Sequence, residues 1–163
     1  MNLLKFLAIA HAHCDVPCGI YDPSAAIYSA VSVVRFLDQI ADLEQTDTDT
    51  QSWGRAVAQM SRLVQQKETH ATMVKSEIRV IWGDYFKAEH FESNPELHSL
   101  THGIMQVASA CKQHNGRSNG VELLEKVNAF AYIYWQIQNV ETRTVLTPYK
   151  PHLPVIQPIL SEA

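Results

Sequence analysis

Two cysteines, two histidines and two aspartates crowd into "AHAHCDVPCGIYDP", residues 10–23, while the rest of the chain holds one further cysteine, Cys111. Within this stretch His13-Cys14-Asp15-Val16-Pro17-Cys18 could do chemistry of a specific kind. With His13 as a free N-terminus, the segment offers an α-amine, the Cys14 amide nitrogen, the thiolates of Cys14 and Cys18, and the His13 imidazole. The amine, the amide nitrogen and the Cys14 sulfur chelate in small fused rings. Pro17 fixes φ and Gly19 tolerates positive φ, so the chain can reverse and return the Cys18 sulfur to the same plane. Two nitrogens and two sulfurs in a square suit Ni(II) or Cu(II), whereas structural zinc prefers a closed tetrahedron. The imidazole is left as an axial ligand, and the thiolates favour a higher oxidation state. A local disulfide or two ordinary thiols would also satisfy a CxxxC pair. The spacing is not that of a CxxC redox motif, and no third cysteine lies close enough for a metal–sulfur cluster.

The amine exists only if the peptide bond before His13 is cut. "MNLLKFLAIA" is apolar with a single lysine, and Ala10-His11-Ala12 has the small-x-small form of a peptidase site. Residues 1–12 read either as the frayed apolar start of a helix or as a removable leader. The leader is expected, although they fall short of the roughly 15–30 residues of a secretory signal. An uncut chain would carry an acylated amide in place of the amine and could not build the site. Free thiols and metal loading point to the cytoplasm, despite the signal-like leader.

Composition limits the alternatives. The chain has 163 residues and a formal charge of −4, from 13 basic and 17 acidic side chains. That length makes one domain with a real core. No dense basic run offers the clustered Lys/Arg that nucleic-acid binding relies on, and no stretch approaches the ~20 apolar residues of a membrane span. Three cysteines are too few, and odd in number, for a disulfide framework.

The elements that must position the hook read as helices. Asp22 and Pro23 signal a helix start, followed by a stripe of Ile27, Val31, Val34, Leu37 and Ala41 over residues 24–44. A second, long helix is expected from Trp53 nearly to Gly83, with Asp49 or Thr50 as its cap. Its stripe runs Trp53, Val57, Met60, Val64, Ala71, Val74, Ile78 and Ile81, and Lys67 stands where an apolar residue is due. A third helix begins after Ser93 or Asn94 and carries Leu97, Leu100, Ile104, Val107 and Cys111. A fourth starts near Asn119 with Val121, Leu124, Val127, Ala131, Tyr134, Ile137 and Glu141 aligned. The tail "TPYKPHLPVIQPILSEA" has four prolines, so it is expected to be extended rather than a fifth helix. The fold class is all-α, an antiparallel up-and-down four-helix bundle. Its parts are a leader (1–12), a hook (13–23), the bundle (24–145) and a proline-rich tail (146–163).

"HCDVPCGIYDP" (13–23) resembles the nickel hook of the nickel superoxide dismutases. "WGDYFKAEHFESNPELHSL" (82–100) resembles that family's link between second and third helices, and the two blocks keep the family's order and spacing. The resemblance covers residues 13–142. It implies a right-handed bundle, a leader removed by a dedicated peptidase, one nickel ion per subunit, and a homohexamer with each hook packed against a neighbour. The implied reaction is disproportionation of superoxide to dioxygen and hydrogen peroxide, with nickel alternating between Ni(III) and Ni(II).

By position, the implied metal ligands are His13, Cys14 and Cys18. Tyr21 matches a tyrosine near the open axial face that excludes larger ligands, and Asp15 an aspartate that holds the hook shut. Tyr85 matches a tyrosine behind the ligands, and Lys87 a lysine that favours approach of an anion. Taken without the resemblance, Tyr85 and Phe86 read as core packing and Lys87 as a solvated charge. Two positions depart from the pattern. A glutamate and an arginine that orient the axial imidazole are replaced by Ser29 and His70, and changes of this kind alter metal-site performance by ~10–100-fold.

His90, His98 and His102 read as surface or interface groups, and Cys111 as a buried thiol. Two other readings of the hook are a non-catalytic nickel- or copper-binding bundle, acting as store or sensor, and a thiol-redox module using Cys14 and Cys18. Only the enzyme needs both redox cycling and an open axial face.

Overall fold

The computed structural model describes residues 19–46 and 52–160. Four long helices form the bundle: α1 (Ser24–Glu44), α2 (Trp53–Val80), α4 (Leu97–Gln113) and α5 (Arg117–Ile137), with a short α3 (Ala88–Ser93) between the second and third of them. Consecutive long helices are neighbours, and α5 closes the ring against α1. The expected four-helix bundle is the fold.

Each helix buries one stripe. Ile27, Val31, Val34 and Leu37 of α1 are buried as the spacing predicts, with Ile40 in place of the half-buried Ala41. On α5 the buried line runs through Leu123, Leu124, Val127, Phe130, Ala131 and Tyr134. Burial of each large aliphatic or aromatic side chain contributes roughly 1.5–3 kcal/mol, so these stripes outweigh any local propensity. Close approach of α5 to α1 requires Gly120: a Cβ there would lie 2.7 Å from Leu37 Cδ1 and 3.1 Å from Val34 Cγ2.

The long stripe expected on α2 is only half used. Trp53 is 63% and Val57 48% exposed, and Met60 and Val64 are half-buried. Burial starts at Leu63 and continues through Lys67, Ala71, Val74 and Ile78. Correct helical periodicity gives the face, but only packing partners decide how far along the helix that face is covered. The caps suggested at Asp49 and Thr50 lie outside the described residues.

Lys67 interrupts the stripe for a positive reason. It is 1% exposed, and its Nζ donates to Lys112 O (3.3 Å), His114 O (3.0 Å) and Asn115 Oδ1 (2.9 Å). The last carbonyls of a helix have no intrahelical donor, and an ammonium with three protons serves this end of α4 well. Burial lowers the Lys67 pKa, against the nearby Glu68 and Cys111, which raise it.

Beyond α5 the chain forms an antiparallel hairpin, β1 (Thr142–Leu146) with β2 (Pro154–Pro158), in the register Thr142↔Pro158 to Leu146↔Pro154. The helical bundle ends at Ile137 rather than at 145, so Glu141 lies outside α5 and residues 142–145 are strand. The proline-rich tail is extended and pairs back onto them. Pro154 and Pro158 sit at the strand ends, where a missing N–H costs least. The hairpin is fastened to α5 by Asn128, which donates to Pro154 O (2.9 Å) and accepts from Ile156 N (3.1 Å), while Val155 enters the core.

Candidate metal centre

The site is built where three parts of the chain meet: the segment leading into α1, the link after α2, and the end of α5. Gly19 has φ +70° with open space around it, so the backbone turn, rather than crowding, calls for glycine there. Asp22 Oδ1 then accepts the Ser24 amide at 2.7 Å, fixing the first turn of α1 from one residue further out than a standard cap.

After Val80 the helix widens into a single π-helical turn, Ile81–Tyr85, closed by Phe86 N donating to Ile81 O at 3.3 Å. Such turns shift side-chain register locally and recur at functional positions. Here the turn buries Ile81 and Phe86 and leaves Tyr85 half-buried at the edge. Phe86 packs edge-on against Phe130 and is the anchor that sets its two neighbours. Tyr85 faces Tyr21 with ring centroids 5.6 Å apart, and Tyr134 of α5 at 4.9 Å.

Tyr134 is buried, and its hydroxyl donates to the backbone carbonyl of Tyr21 at 2.5 Å. Gln138 Nε2 in turn donates to the Tyr134 hydroxyl at 3.3 Å. Burial raises the pKa of both Tyr85 and Tyr134, opposed in each case by a hydrogen bond from Gln138; Tyr85, Asp22 and Tyr21 add further upward pressure on Tyr134. Both phenols therefore keep their protons at neutral pH and remain donors.

Lys87 is exposed and donates from Nζ to Asp84 O at 2.8 Å. A carbonyl carries no formal charge, so this contact points the ammonium without neutralising it. The Lys87 backbone N–H donates to His90 Nδ1 at 3.1 Å, and the His90 ring stacks on Tyr85 with 14° between planes. His90 thus joins Lys87 to Tyr85. His98 accepts from Trp82 Nε1 at 3.1 Å and stacks on Phe91 at 4.0 Å.

Of the residues singled out from the sequence, Tyr21 and Tyr85 are in contact, and Lys87 reaches the same edge through His90. Ser29 is buried in α1. His70 hydrogen-bonds Gln66 O through Nδ1 at 2.9 Å and rests against Phe36, with centroids 5.2 Å apart. Cys111 is fully buried, and burial pushes its thiol up to about 11. His13, Cys14, Asp15 and Cys18 lie outside the described residues. Among the described residues no group of three or more His, Cys, Asp or Glu side chains could hold a metal.

Sequence reasoning assigned Tyr134 only to a buried stripe and gave Gln138 no role. The legible signal was a hydroxyl on an otherwise apolar stripe, with a polar amide one turn later. Buried hydroxyls require partners.

The family model described as nickel-containing superoxide dismutase matches residues 8–138. Superoxide dismutase [Ni] of Streptomyces coelicolor is 34% identical over 125 residues, 77% of this chain and 87% of that protein. The Streptomyces seoulensis protein of the same name is 35% identical over the same coverage. The native nickel superoxide dismutase structure at 1.30 Å superposes with a TM-score of 0.66 at 32% identity, over 78% of this chain and 99% of that one. A crystal structure of the nickel-containing enzyme with ligation of the oxidised state gives 0.64 at 34% identity, over the same shares. The β1–β2 hairpin lies beyond the family match. By the extent of that match and the identity to both Streptomyces proteins, the chain belongs to the nickel-containing superoxide dismutase family.

Proposed function

We propose that the processed chain disproportionates superoxide to dioxygen and hydrogen peroxide at a nickel ion held by residues 13–18. The observation that carries this reading is family membership across residues 8–138, a span that includes the hook. The donor set fits the metal: an amine, an amide nitrogen, two thiolates and an imidazole are ligand types that nickel takes. When bound, nickel supplies one-electron redox chemistry between Ni(III) and Ni(II). His13, Cys14 and Cys18 would hold it, and Asp15 would keep the hook closed.

The described residues supply the surroundings. Tyr21 and Tyr85 form an aromatic wall where the hook leaves the bundle, narrowing the approach to small ligands. Lys87 presents a cation at that edge to an anionic substrate. Processing removes residues 1–12 through a peptidase, and six copies assemble so that each hook packs against a neighbour.

The test compares the trimmed protein, loaded with nickel, with Cys14→Ser and Cys18→Ser variants. The trimmed protein should remove superoxide and show a rhombic Ni(III) signal in electron paramagnetic resonance, and each serine variant should lose both. Activity that persists in the serine variants, or without metal, would overturn the reading.

A further inference from the structure

We propose that Tyr134 and Gln138, one turn apart at the end of α5, form a clamp that positions the chain segment leaving the metal hook. They act as positioning residues, through the Tyr21 backbone rather than on the reacting atoms. The inference rests on the reading of residues 13–18 as the nickel site.

Tyr134 is 2% exposed, and its hydroxyl proton goes to the carbonyl of Tyr21, a residue 113 positions away. That carbonyl precedes α1, so no helical ladder supplies its donor. The free acceptor capacity of the Tyr134 oxygen is taken by Gln138 Nε2. The Tyr85 ring packs against the Tyr134 ring, with centroids 4.9 Å apart. The tyrosine that holds the exit segment therefore also packs on the tyrosine that faces Tyr21.

The base of the clamp is rigid. The end of α5 closes with Asn139 N donating to Gln136 O (3.0 Å) and Val140 N to Trp135 O (2.9 Å), with Asn139 at φ +56°. This is the Schellman arrangement, in which asparagine is among the few residues at ease with positive φ. It fixes Gln138 as the residue that caps α5, just past Ile137. The Tyr134 ring is held between Tyr85 and Trp135, each at 4.9 Å. The exit segment is thus tied to the capped end of α5, while the Asp22 to Ser24 contact is local. Holding the segment in place before metal arrives reduces the ordering that binding must supply, which lengthens metal residence.

The experiment uses the full trimmed chain as wild type, Tyr134→Phe and Gln138→Leu. Tyr134→Phe removes one hydroxyl and keeps the ring. Hydrogen exchange of a peptide spanning residues 19–24 is followed by mass spectrometry in the metal-free protein, and nickel release to excess EDTA in the loaded protein. In Tyr134→Phe, exchange across 19–24 should accelerate several-fold, and nickel release by about five- to tenfold, as expected for one lost hydrogen bond. Gln138→Leu should shift both in the same direction by less. Exchange within α4, which the clamp does not touch, should stay at the wild-type rate, separating a local clamp from general loss of stability. Unchanged exchange across 19–24 in Tyr134→Phe overturns the clamp, as does acceleration spread equally over α4. If wild-type protein takes up no nickel, the hook reading fails by itself, and the exchange result alone decides the clamp.

Discussion

Lys87 is exposed, and its backbone N–H bonds the His90 ring that stacks on Tyr85, in a chain whose formal charge is −4. Removing residues 1–12 takes away one cation, Lys5, and carries the balance to −5. An anion is repelled by such a protein as a whole, so fast turnover needs local focusing. Lys87→Ala should lower kcat/KM about three- to tenfold at low ionic strength and flatten its salt dependence. Lys87→Arg should keep both. Stopped-flow superoxide decay across a salt series measures this, and an unchanged salt profile in Lys87→Ala would remove Lys87 from the steering role. Tyr21, Tyr85 and Lys87 were legible through two short motifs. Tyr134 was not legible as a partner of Tyr21, because a contact over 113 positions leaves no local spacing to read. His90 was read as a surface or interface group, and its part in joining Lys87 to Tyr85 depends on a backbone turn that the sequence does not announce.

Among the elements, α2 shows how far periodicity reaches. Its helical character and buried face follow from the 3–4 spacing, yet the first two members of the stripe, Trp53 and Val57, are exposed. Lys67 was legible as an irregularity only. Its meaning appears once α4 ends beside it, because the acceptors are carbonyls of Lys112 and His114 and the amide of Asn115. Replacing a buried charge by an apolar residue can be neutral when its partners are replaced as well, but here the acceptors would stay. Lys112 is half-buried and His114 and Asn115 are exposed, so water offsets part of the ~1–3 kcal/mol that each unpaired acceptor would cost. Lys67→Met should therefore destabilise the fold by about 2–4 kcal/mol in urea denaturation. A neutral result would show that solvent reaches the end of α4 and satisfies it. The π-helical turn and α3 were illegible for a related reason: "GDYFKAEHFESNP" loses the helical stripe, and only the packing of Phe86 gives it a fixed path.

For the molecule as a whole, the bundle was readable because four amphipathic stripes have few other ways to be buried. The hairpin was half readable: proline excluded a helix, but pairing depends on Asn128, on a different element. Global stability should carry the mark of Cys111. Burial holds its thiol at about 11, against an ordinary value of 9.0, with Lys67 pulling down and Glu122 pushing up. Between those values the native state keeps a proton that the unfolded chain releases. This contribution is therefore complete below pH 9 and is lost as pH rises through 11. Burial of Tyr85 and Tyr134 acts with the same sign, and the lowered pKa of Lys67 opposes it. Urea denaturation of wild type should weaken from pH 9 upwards, more steeply than that of Cys111→Ala. Equal slopes would mean that the buried thiol does not titrate with unfolding.

The central claim is that an amine created by cleavage becomes a nickel ligand, and it can be read from one preparation. Intact mass and N-terminal sequence of the active protein should give His13 as the first residue, together with one nickel per subunit by elemental analysis. Active, nickel-loaded protein beginning at any other residue would contradict the account.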